Sequence, residues 1–395
     1  MSWPMVKIGS CIEKIKSWNP LKSADTDSFL YIDLSSVDKD KKEIDLSSVV
    51  SILPSDAPSR ARQLVKANDV LVSTVRPNLN GVALVSESFC GATASTGYCV
   101  LRANVQKLDS RFLFYWVQTQ SFISDMVKKA TGANYPAVSD KIIMDSEIPL
   151  PPLAEQKRIA AILDKADAIR RKRQQAIQLA DDFLRAVFLE MFGDPVTNPK
   201  GFPVGTIRDL VESASYGTSA KASVTEGAFP ILRMGNITFY GEIDLSDLKF
   251  IDLSEKEQPK YLASKGDLLF NRTNSKELVG KTAVYDRGEP VAIAGYLVRV
   301  RANKLGNTHY ISGYLNSQHG KATLQGMCKS IVGMANINAQ EMQDISIMLP
   351  PIELQDKYKE IVLSVRDKTK VLEFSKEQQV ALFNSLSQKA FSGQL

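Results

Sequence analysis

Hydrophobic positions follow two different spacings along the chain. Short apolar runs broken by turn residues predict strands at 82–85, 99–101, 291–294 and 297–300. Longer stretches at 112–129 and 311–326 have apolar residues at helical spacing and predict helices. Because strands and helices do not alternate regularly, the pattern predicts a mixed α+β fold and not a doubly wound sheet.

Two stretches without proline or glycine, 153–191 and 353–391, predict much longer helices. Each begins just after a pair of prolines, which suit the first turn of a helix because their missing N–H has no partner there. Roughly 37 helical residues would span about 55 Å. In the first helix, alternating steps of four and three indicate a heptad seam made of Ile162, Ala166, Ile169, Arg173, Ala176, Ala180, Phe183 and Val187. A weaker seam in the second helix contains Ile361, Val365, Leu372, Leu382 and Leu386.

The chain also contains an internal repeat. Residues 148–156 read IPLPPLAEQ and residues 347–355 read IMLPPIELQ, so that Pro151 and Pro350 are 199 positions apart (350 − 151). At nearly the same offset Asp69 matches Asp267, Arg-Ala-Asn recurs at 102–104 and 301–303, and Gly132 has its counterpart in Gly333. Ordered matches at one offset indicate a tandem duplication, and a period this long requires that each copy has its own core.

We therefore predict two similar mixed α/β domains, separated by two long antiparallel helices that form a coiled-coil spacer, with pseudo-two-fold symmetry. The predicted segments are 1–150 for the first domain, 151–192 for the central helix, 193–349 for a linker and the second domain, and 350–395 for the C-terminal helix. The turn-rich stretch 193–201 marks the start of the second copy. A structural stalk or dimerisation arm is the alternative interpretation of the helices.

Composition narrows the functional class only slightly. A chain of 395 residues is too long for one ordinary core, and its net charge of +5 suits a polyanionic partner without requiring one. No apolar run reaches the ~20 residues of a membrane span, and the first residues lack the apolar core of a signal peptide. The four cysteines are scattered. We expect a cytoplasmic protein that does not cross a membrane.

Sequence motifs of catalysis and metal binding are not found. The two histidines, His309 and His319, stand in no ligand pattern, and neither GxxxxGK[ST] nor GxGxxG is present. The Asn-Pro-Pro-aromatic box of a DNA amino-methyltransferase is absent as well. Asp247-Leu248-Lys249 matches part of a metal-nuclease pattern, but so short a match arises easily by chance. The sequence thus predicts no active site, no metal site and no cofactor bound by this chain.

A polar, basic segment follows an apolar strand in both copies, at 73–81 and at 271–281. Arginine offers paired donors to guanine, and asparagine offers a donor and an acceptor to adenine, so these segments predict base-reading loops. An ordinary solvated loop is the alternative. The candidates are Thr74, Arg76, Asn78 and Asn80 in the first segment, and Asn271, Arg272, Asn274, Lys276 and Lys281 in the second. We expect Arg76 and Arg272 to occupy matched positions.

Weaker candidates for contact with nucleic acid lie outside these two segments. One group, around Gly132, consists of Lys128, Lys129, Asn134 and Tyr135, and its counterparts around Gly333 are Lys329, Asn336 and Asn338. Arg233 and Asn236 form a further weak pair. The basic cluster 170–173 has the composition of a phosphate-contacting patch. Neighbouring aspartates favour a solvated helical face for that cluster.

These motifs resemble those of the specificity subunits of type I restriction-modification systems. The resemblance covers essentially the whole chain, and the sequences that carry it, besides the two Asp-led strands, are 149–157 (PLPPLAEQK), 191–195 (MFGDP), 198–203 (NPKGFP) and 390–395 (AFSGQL). It implies a non-catalytic subunit with two target-recognition domains, each reading one half of a split, asymmetric DNA site. The helices would act as a ruler that sets the gap between the half-sites.

The resemblance also implies partners. Besides double-stranded DNA, these are two modification subunits that bind S-adenosylmethionine and methylate adenine at N6, and a translocating restriction subunit that uses ATP and Mg²⁺. The modification subunits would dock on the helices, although the second proline motif departs from the first, with Glu353-Leu354-Gln355 in place of Ala154-Glu155-Gln156. The alternatives are a stand-alone DNA-modifying enzyme, which the missing motifs oppose, and a helical scaffold without DNA binding.

Overall fold

The structure, a computed structural model, describes residues 3–22, 27–132, 134–328 and 334–395, with only the backbone described at 371–381. The chain divides into two compact units. Unit 1 comprises Met1–Arg173 with Ser375–Leu395, and unit 2 comprises Gln174–Phe374. The division falls inside both long helices, so each unit includes one half of each helix. The sequence had suggested instead that the helices are segments separate from the domains.

Unit 1 begins with an irregular β region and ends with helices. Its elements are β1 Met5–Lys7, β2 Ile12–Glu13, β3 Phe29–Ile32, β4 Val37–Asp38, β5 Glu43–Ile44, β6 Val50–Ile52, β7 Ala61–Leu64, β8 Val70–Ser73, β9 Val82–Leu84, β10 Thr93–Ser95, β11 Tyr98–Ala103, α1 Ser110–Trp116, α2 Gln120–Lys129, α3 Asp140–Asp145, β12 Glu147–Pro149 and the first half of α4 Leu153–Phe192. The last part of the C-terminal helix completes the unit.

Unit 2 contains most of these elements in the same order, with an additional short helix, α5 Gln258–Tyr261. It contains β13 Val204–Thr206, β14 Val211–Tyr216, β15 Phe229–Leu232, β16 Lys249–Ile251, α5 Gln258–Tyr261, β17 Leu262–Ala263, β18 Leu268–Asn271, β19 Thr273–Asn274, β20 Thr282–Val284, β21 Val291–Ile293, β22 Leu297–Ala302, α6 Thr308–Asn316, α7 Gln318–Met327, β23 Ala335–Asn336, α8 Ala339–Gln343, β24 Ser346–Met348 and the first half of α9 Ile352–Phe391. Among the described residues, no helix combines the length and apolar character that crossing a membrane requires.

The sheets of the two units have equivalent topologies. An antiparallel sheet has the order β2-β11-β8-β9 in unit 1 and β14-β22-β18-β20 in unit 2. A second sheet, with one parallel pair, has the order β6-β3-β10-β7 and β16-β15-β21-β17. The first strand of each unit pairs with the strand that precedes the long helix, β1 with β12 and β13 with β24. The predicted duplication of a mixed α+β fold is confirmed.

The glutamine that ends each repeated proline motif fastens a long helix to its unit. Gln156 and Gln355 are fully buried. Each side-chain amide accepts one hydrogen bond from a backbone N–H and donates two to carbonyls. The partners are Asp109 N–H (2.8 Å), Lys107 (3.0 Å) and Pro151 (2.9 Å) for Gln156, and Asn307 N–H (2.9 Å), Leu305 (3.0 Å) and Pro350 (2.9 Å) for Gln355. The repeat therefore preserves a buried anchor whose hydrogen bonds are all made.

The Asp-led strands and the Arg-Ala-Asn motifs contact each other across the antiparallel sheets. Asp69 accepts two hydrogen bonds from Arg102 (2.8 and 2.7 Å), and Asp267 accepts two from Arg301 (2.8 and 3.1 Å). In unit 2 a second arginine, Arg299, lies buried with its Nε 3.9 Å from Asp267. Strand register places Val100 at the corresponding position of unit 1.

The long helices run antiparallel within each unit. In unit 1 Arg158 contacts Leu395 (3.2 Å) and, further along α4, Arg170 lies over the ring of Phe383 (5.9 Å to the centroid). In unit 2 Arg366 contacts Asp181 (2.6 Å), and the rings of Tyr358 and Phe192 are 5.5 Å apart. The order of the contacts is therefore reversed along the second helix in both units.

The predicted heptad seams are wrong in detail. Ile169, Phe183 and Leu382 are 49%, 53% and 56% exposed. Val187 of the predicted seam is buried, but the main buried line of α4 passes through Leu163, Asp167, Ile177, Asp181, Leu184 and Phe188. A search for apolar residues misses this line because two of its members are aspartates paired with arginines. The side chain of Leu372 lies outside the described residues.

Each helix predicted before the proline motifs is two helices. The first, 112–129, is interrupted before Thr119, whose hydroxyl accepts a hydrogen bond from Phe122 N–H at the start of α2. The second, 311–326, is interrupted at Ser317, whose hydroxyl accepts one from Gly320 N–H. Serine and threonine are preferred N-caps, so the breaks occur where a side chain can satisfy a free N–H.

Candidate nucleic-acid interface

Two polar segments that are distant in sequence meet in each unit. In unit 1 Val75, in the segment after β8, forms an antiparallel bridge with Ala137. In unit 2 β19 pairs with β23, with Thr273 opposite Asn336. The structure therefore joins the two groups of candidate residues that the sequence suggested separately. Gly333 and Lys329 lie outside the described residues.

Backbone hydrogen bonds decide which residues of the two segments correspond. Thr74 in unit 1 and Arg272 in unit 2 have the same environment, because each donates its N–H to the turn before β11 or β22. Each also accepts a hydrogen bond at its carbonyl from the partner segment. The partners are Gly97 O and Val138 N–H for Thr74 (both 2.9 Å), and Tyr296 O (3.0 Å) and Ile337 N–H (2.9 Å) for Arg272.

This register corrects one sequence-based expectation. Because Thr74 corresponds to Arg272, Arg76 corresponds to Asn274, and the two arginines are not matched but offset by two residues. The error arises because the arginines were matched by composition, which needs an offset of 196 (272 − 76), whereas the repeat offset at the nearby Asp267 is 198 (267 − 69). Long-range pairing of the backbone, not local composition, sets the register.

In unit 1 the exposed side chain of Arg76 lies on the ring of Tyr135, with Cζ 4.8 Å from the ring centroid. Tyr135 is 68% exposed. The Arg76 backbone has φ +50°, a left-handed conformation that an L-residue adopts at a cost of about 1–2 kcal/mol. Its N–H donates to Pro136 O at 2.7 Å, which holds the strained backbone against the segment that carries Tyr135.

In unit 2 the half-buried Arg272 lies on the ring of Tyr216, with Cζ 4.9 Å from the ring centroid. Nη2 donates to Asn336 Oδ1 at 3.3 Å, and Nε is buried without a hydrogen-bond partner among the described residues. The Tyr216 hydroxyl accepts a hydrogen bond from Ala339 N–H at 3.1 Å. Sequence reasoning missed Tyr216 because it lies on β14, 56 positions before Arg272 (272 − 216), with no local pattern to mark it.

Several other candidates lie inside the fold, which corrects their assignment as direct contacts. Thr74 is buried, and its hydroxyl donates to Gly97 O at 2.9 Å. Asn271 is fully buried. Asn236 is buried within its own turn, where its side chain accepts from Arg233 N–H and donates to two carbonyls. Asn80, by contrast, is only half-buried, although its side-chain amide donates to Val117 O at 3.3 Å.

Two charged residues among the candidates for DNA contact instead stabilise a turn of unit 2. Nζ of Lys281 donates to the carbonyls of Met234 and Ile237, and burial lowers the pKa of this lysine. Arg233 donates to the Asp247 carboxylate at 2.7 Å. The candidates that are exposed or half-buried near the paired segments are Arg76, Asn78, Asn80, Asn134 and Tyr135 in unit 1, and Arg272, Asn274, Lys276 and Lys281 in unit 2.

Comparison with known proteins connects this arrangement to one family. The model described as type I restriction modification DNA specificity domain matches residues 3–179 and again 199–381. The specificity subunit of the type I restriction enzyme EcoKI from Escherichia coli (strain K12) is 25% identical over 327 residues, which is 78% of this chain and 68% of that subunit.

Two solved structures share the fold. A chain from a structure on complex assembly and conformational transition of the type I R-M system is 24% identical, with a TM-score of 0.55, and the match covers 100% of this chain and 98% of the other. The S subunit from M. genitalium is 15% identical, with a TM-score of 0.58, and the match covers 99% and 96%.

Proposed function

The chain belongs to the family of type I restriction modification DNA specificity domains, and we propose that it reads a bipartite DNA site, one half with each unit. The observation that carries the proposal is the paired polar segment, which recurs in both units at one backbone register but with different side chains. Because base edges are recognised by the donors and acceptors presented to them, two related surfaces of different chemistry suit two different half-sites.

The proposal extends to the partners. The relatives named above are a specificity subunit and a chain from a type I restriction-modification complex. By the same reasoning, two modification subunits dock on the long helices and supply S-adenosylmethionine and the methylation chemistry, while a restriction subunit supplies the ATP- and Mg²⁺-dependent steps. This chain then contributes recognition and no catalysis, in the cytoplasm.

Mapping N6-methyladenine tests the reading of a bipartite site. The chain is expressed with its modification subunits in a host that lacks other adenine methylation. We expect methylation within one split sequence of fixed gap, and DNA affinity of the complex that falls steeply with salt because phosphate contacts release counterions. Scattered methylation without a split motif, or binding insensitive to salt, would contradict the proposal.

Insertions test the ruler role of the helices. About seven residues, two helical turns, are added at 173–174 and again at 374–375, where the division between the units crosses the helices. We expect the gap to lengthen by roughly three base pairs, because two turns add about 10 Å and base pairs are about 3.4 Å apart. The same insertion in the turn-rich stretch at 198–201 is the control and leaves the gap unchanged. An unchanged gap in the helix variant would refute the ruler role while leaving DNA reading intact.

A further inference from the structure

Each unit places one arginine on one tyrosine ring beside its paired segment. The distances from guanidinium carbon to ring centroid, 4.8 Å for Arg76 on Tyr135 and 4.9 Å for Arg272 on Tyr216, are nearly equal. The tyrosines come from unrelated places, the loop after Gly132 in unit 1 and β14 in unit 2. The arginines also differ in register by two residues. The two units thus have the same arginine–tyrosine pairing, although neither the arginines nor the tyrosines occupy corresponding positions.

A tyrosine ring beneath a guanidinium group fixes its position and leaves its edge free. The positive group is attracted to the face of the ring, and a planar guanidinium can lie there with its N–H donors directed outward. Arg76 donates no side-chain hydrogen bond to another described residue. Arg272 donates a single weak one from Nη2, and because its Nε is buried, its two Nη groups form the edge that can face a base. A group held in place before binding loses less conformational entropy when it makes its contacts.

The outward edge of such an arginine matches one base. Two parallel N–H donors fit N7 and O6 of guanine in the major groove, and no other base presents two acceptors there. The position equivalent to Arg272 is the buried Thr74 in unit 1, and the position equivalent to Arg76 is Asn274 in unit 2. Each paired segment therefore presents one arginine for this contact.

We propose that Arg76 and Arg272 each read one guanine, one in each half of the DNA site, from a position fixed by Tyr135 and Tyr216. This inference rests on the proposed function, since it names the base that each unit recognises. It makes the two arginines specificity-determining residues, and it makes the two tyrosines positioning residues that need not touch DNA.

The test uses the complex assembled with its modification subunits. After the methylated motif has been mapped, Arg76→Ala and Arg272→Ala should each relax one G·C position, in one half only. Discrimination at that position should fall roughly 5- to 150-fold, the range for a lost bidentate contact. Tyr135→Leu and Tyr216→Leu should weaken discrimination at the same positions less strongly. Arg60→Ala and Arg287→Ala, which remove exposed arginines elsewhere in each unit, are the matched controls and leave the motif unchanged.

A second arm begins with the wild-type complex, so its main result does not depend on the folding of any variant. Oligonucleotides carry 7-deazaguanine, which lacks the N7 acceptor, at each guanine of the motif in turn. The wild-type complex should lose affinity at one guanine in each half, and the matching arginine variant should show no further loss there. A half-site without a G·C pair, wild-type indifference to every 7-deazaguanine, or unchanged discrimination in both arginine variants would overturn the inference. Absence of any split methylated motif would instead contradict the proposed function.

Discussion

In both units an arginine of a long helix contacts a glutamate in a short hairpin, formed by β4 and β5 in unit 1 and by residues 237–243 in unit 2. The arginine comes from a different position in each unit. Arg171 of α4 contacts Glu43 in unit 1, and Arg366 of α9 contacts Glu242 in unit 2. The glutamates are 199 positions apart (242 − 43), whereas the arginines are 195 apart (366 − 171), a difference of about one helical turn. The same arginines also donate to the carbonyls of Lys41 (2.9 Å) and Tyr240 (3.3 Å).

The aspartates beside these arginines differ too. Asp167 lies one turn before Arg171 on the same helix and also accepts from Arg170, whereas Asp181, on α4, contacts Arg366 on α9. Arg170 and Arg171 thus have carboxylate partners, in line with a balanced helical face for this basic cluster. Contacts between hairpin and helix have diverged, while the buried glutamines and the Asp–Arg pairs have kept their places. The repeat in the sequence therefore identifies the buried contacts that the two units share, and not the contacts between hairpin and helix, which differ.

Removing the carboxylate of the Asp–Arg pair should have the largest effect and should differ between the units. Asp267→Asn removes the carboxylate beside Arg299, which is only 5% exposed, and leaves Arg301 with the attraction of Glu212 alone. We expect a loss of about 3–5 kcal/mol in the free energy of unfolding of unit 2. Asp69→Asn affects Arg102 alone, so the loss in unit 1 should be about 3 kcal/mol. Hydrogen exchange read separately in each unit measures both losses.

A variant that removes Arg299 tests whether this residue causes the difference between the units. Burial and the neighbouring Arg301 lower the pKa of Arg299, so its charge depends on Asp267 more than a solvated arginine would. In an Arg299→Met background, unit 2 has an apolar side chain where unit 1 has Val100. Asp267→Asn should then cost no more than Asp69→Asn does. A cost in unit 2 that stays higher would show that Arg299 is not the source of the difference.

The glutamine anchors should behave alike in the two units. Gln156→Leu and Gln355→Leu each leave one buried N–H and two carbonyls without the side chain that pairs them. We expect about 2–3 kcal/mol of destabilisation in each case, confined to the unit that carries the change. Gln175→Leu, at an exposed position of α4, is the control. A large difference between the two anchors in hydrogen exchange would contradict their equivalence.

The sequence predicted the features that arise from local composition or from repetition. These are the two long helices, the mixed α+β content and the duplication, which depend on proline-free stretches and on motifs such as the one ending in Gln156. It also indicated the two polar segments of each unit as separate candidates. Their meeting could not be predicted, because it results from backbone pairing between residues as far apart as Val75 and Ala137.

Errors arose where tertiary contacts override local pattern. The buried line of α4 includes Asp167 and Asp181 because arginines neutralise them inside the unit, whereas a hydropathy pattern treats any charge as exposed. Asn271 was selected for its side chain, yet it lies at the end of a central strand where that side chain is buried. The Arg272–Tyr216 pair joins a residue between β18 and β19 to the last residue of β14 and leaves no trace in either local sequence.

The smallest predicted effect concerns the two helix aspartates. Burial raises the pKa of Asp181 above the ordinary carboxyl value, even though Arg366 acts to lower it. Burial therefore disfavours the charged carboxylate somewhat more than Arg366 favours it. Asp181→Asn should change the free energy of unfolding of unit 2 by less than about 1 kcal/mol at neutral pH, since Arg366 keeps its contact with Glu242. Asp167→Asn should cost more, about 1–2 kcal/mol, because Asp167 accepts from two arginines.

Lowering the pH distinguishes the effect of the Asp181–Arg366 ion pair on stability from the effect of burying Asp181. A carboxyl whose pKa is raised by folding binds its proton more tightly in the folded state, so its contribution to stability grows as the pH falls through the folded pKa. Wild-type unit 2 should therefore gain stability relative to Asp181→Asn between neutral pH and about pH 4.5, as measured by hydrogen exchange at both values. If Asp181→Asn instead destabilised unit 2 at neutral pH as strongly as Asp267→Asn, with a deficit that shrank on acidification, the attraction to Arg366 would outweigh burial. Asp167 and Asp181 would then contribute to stability in the same way. The units would differ only in the sequence positions of the arginines that these aspartates contact.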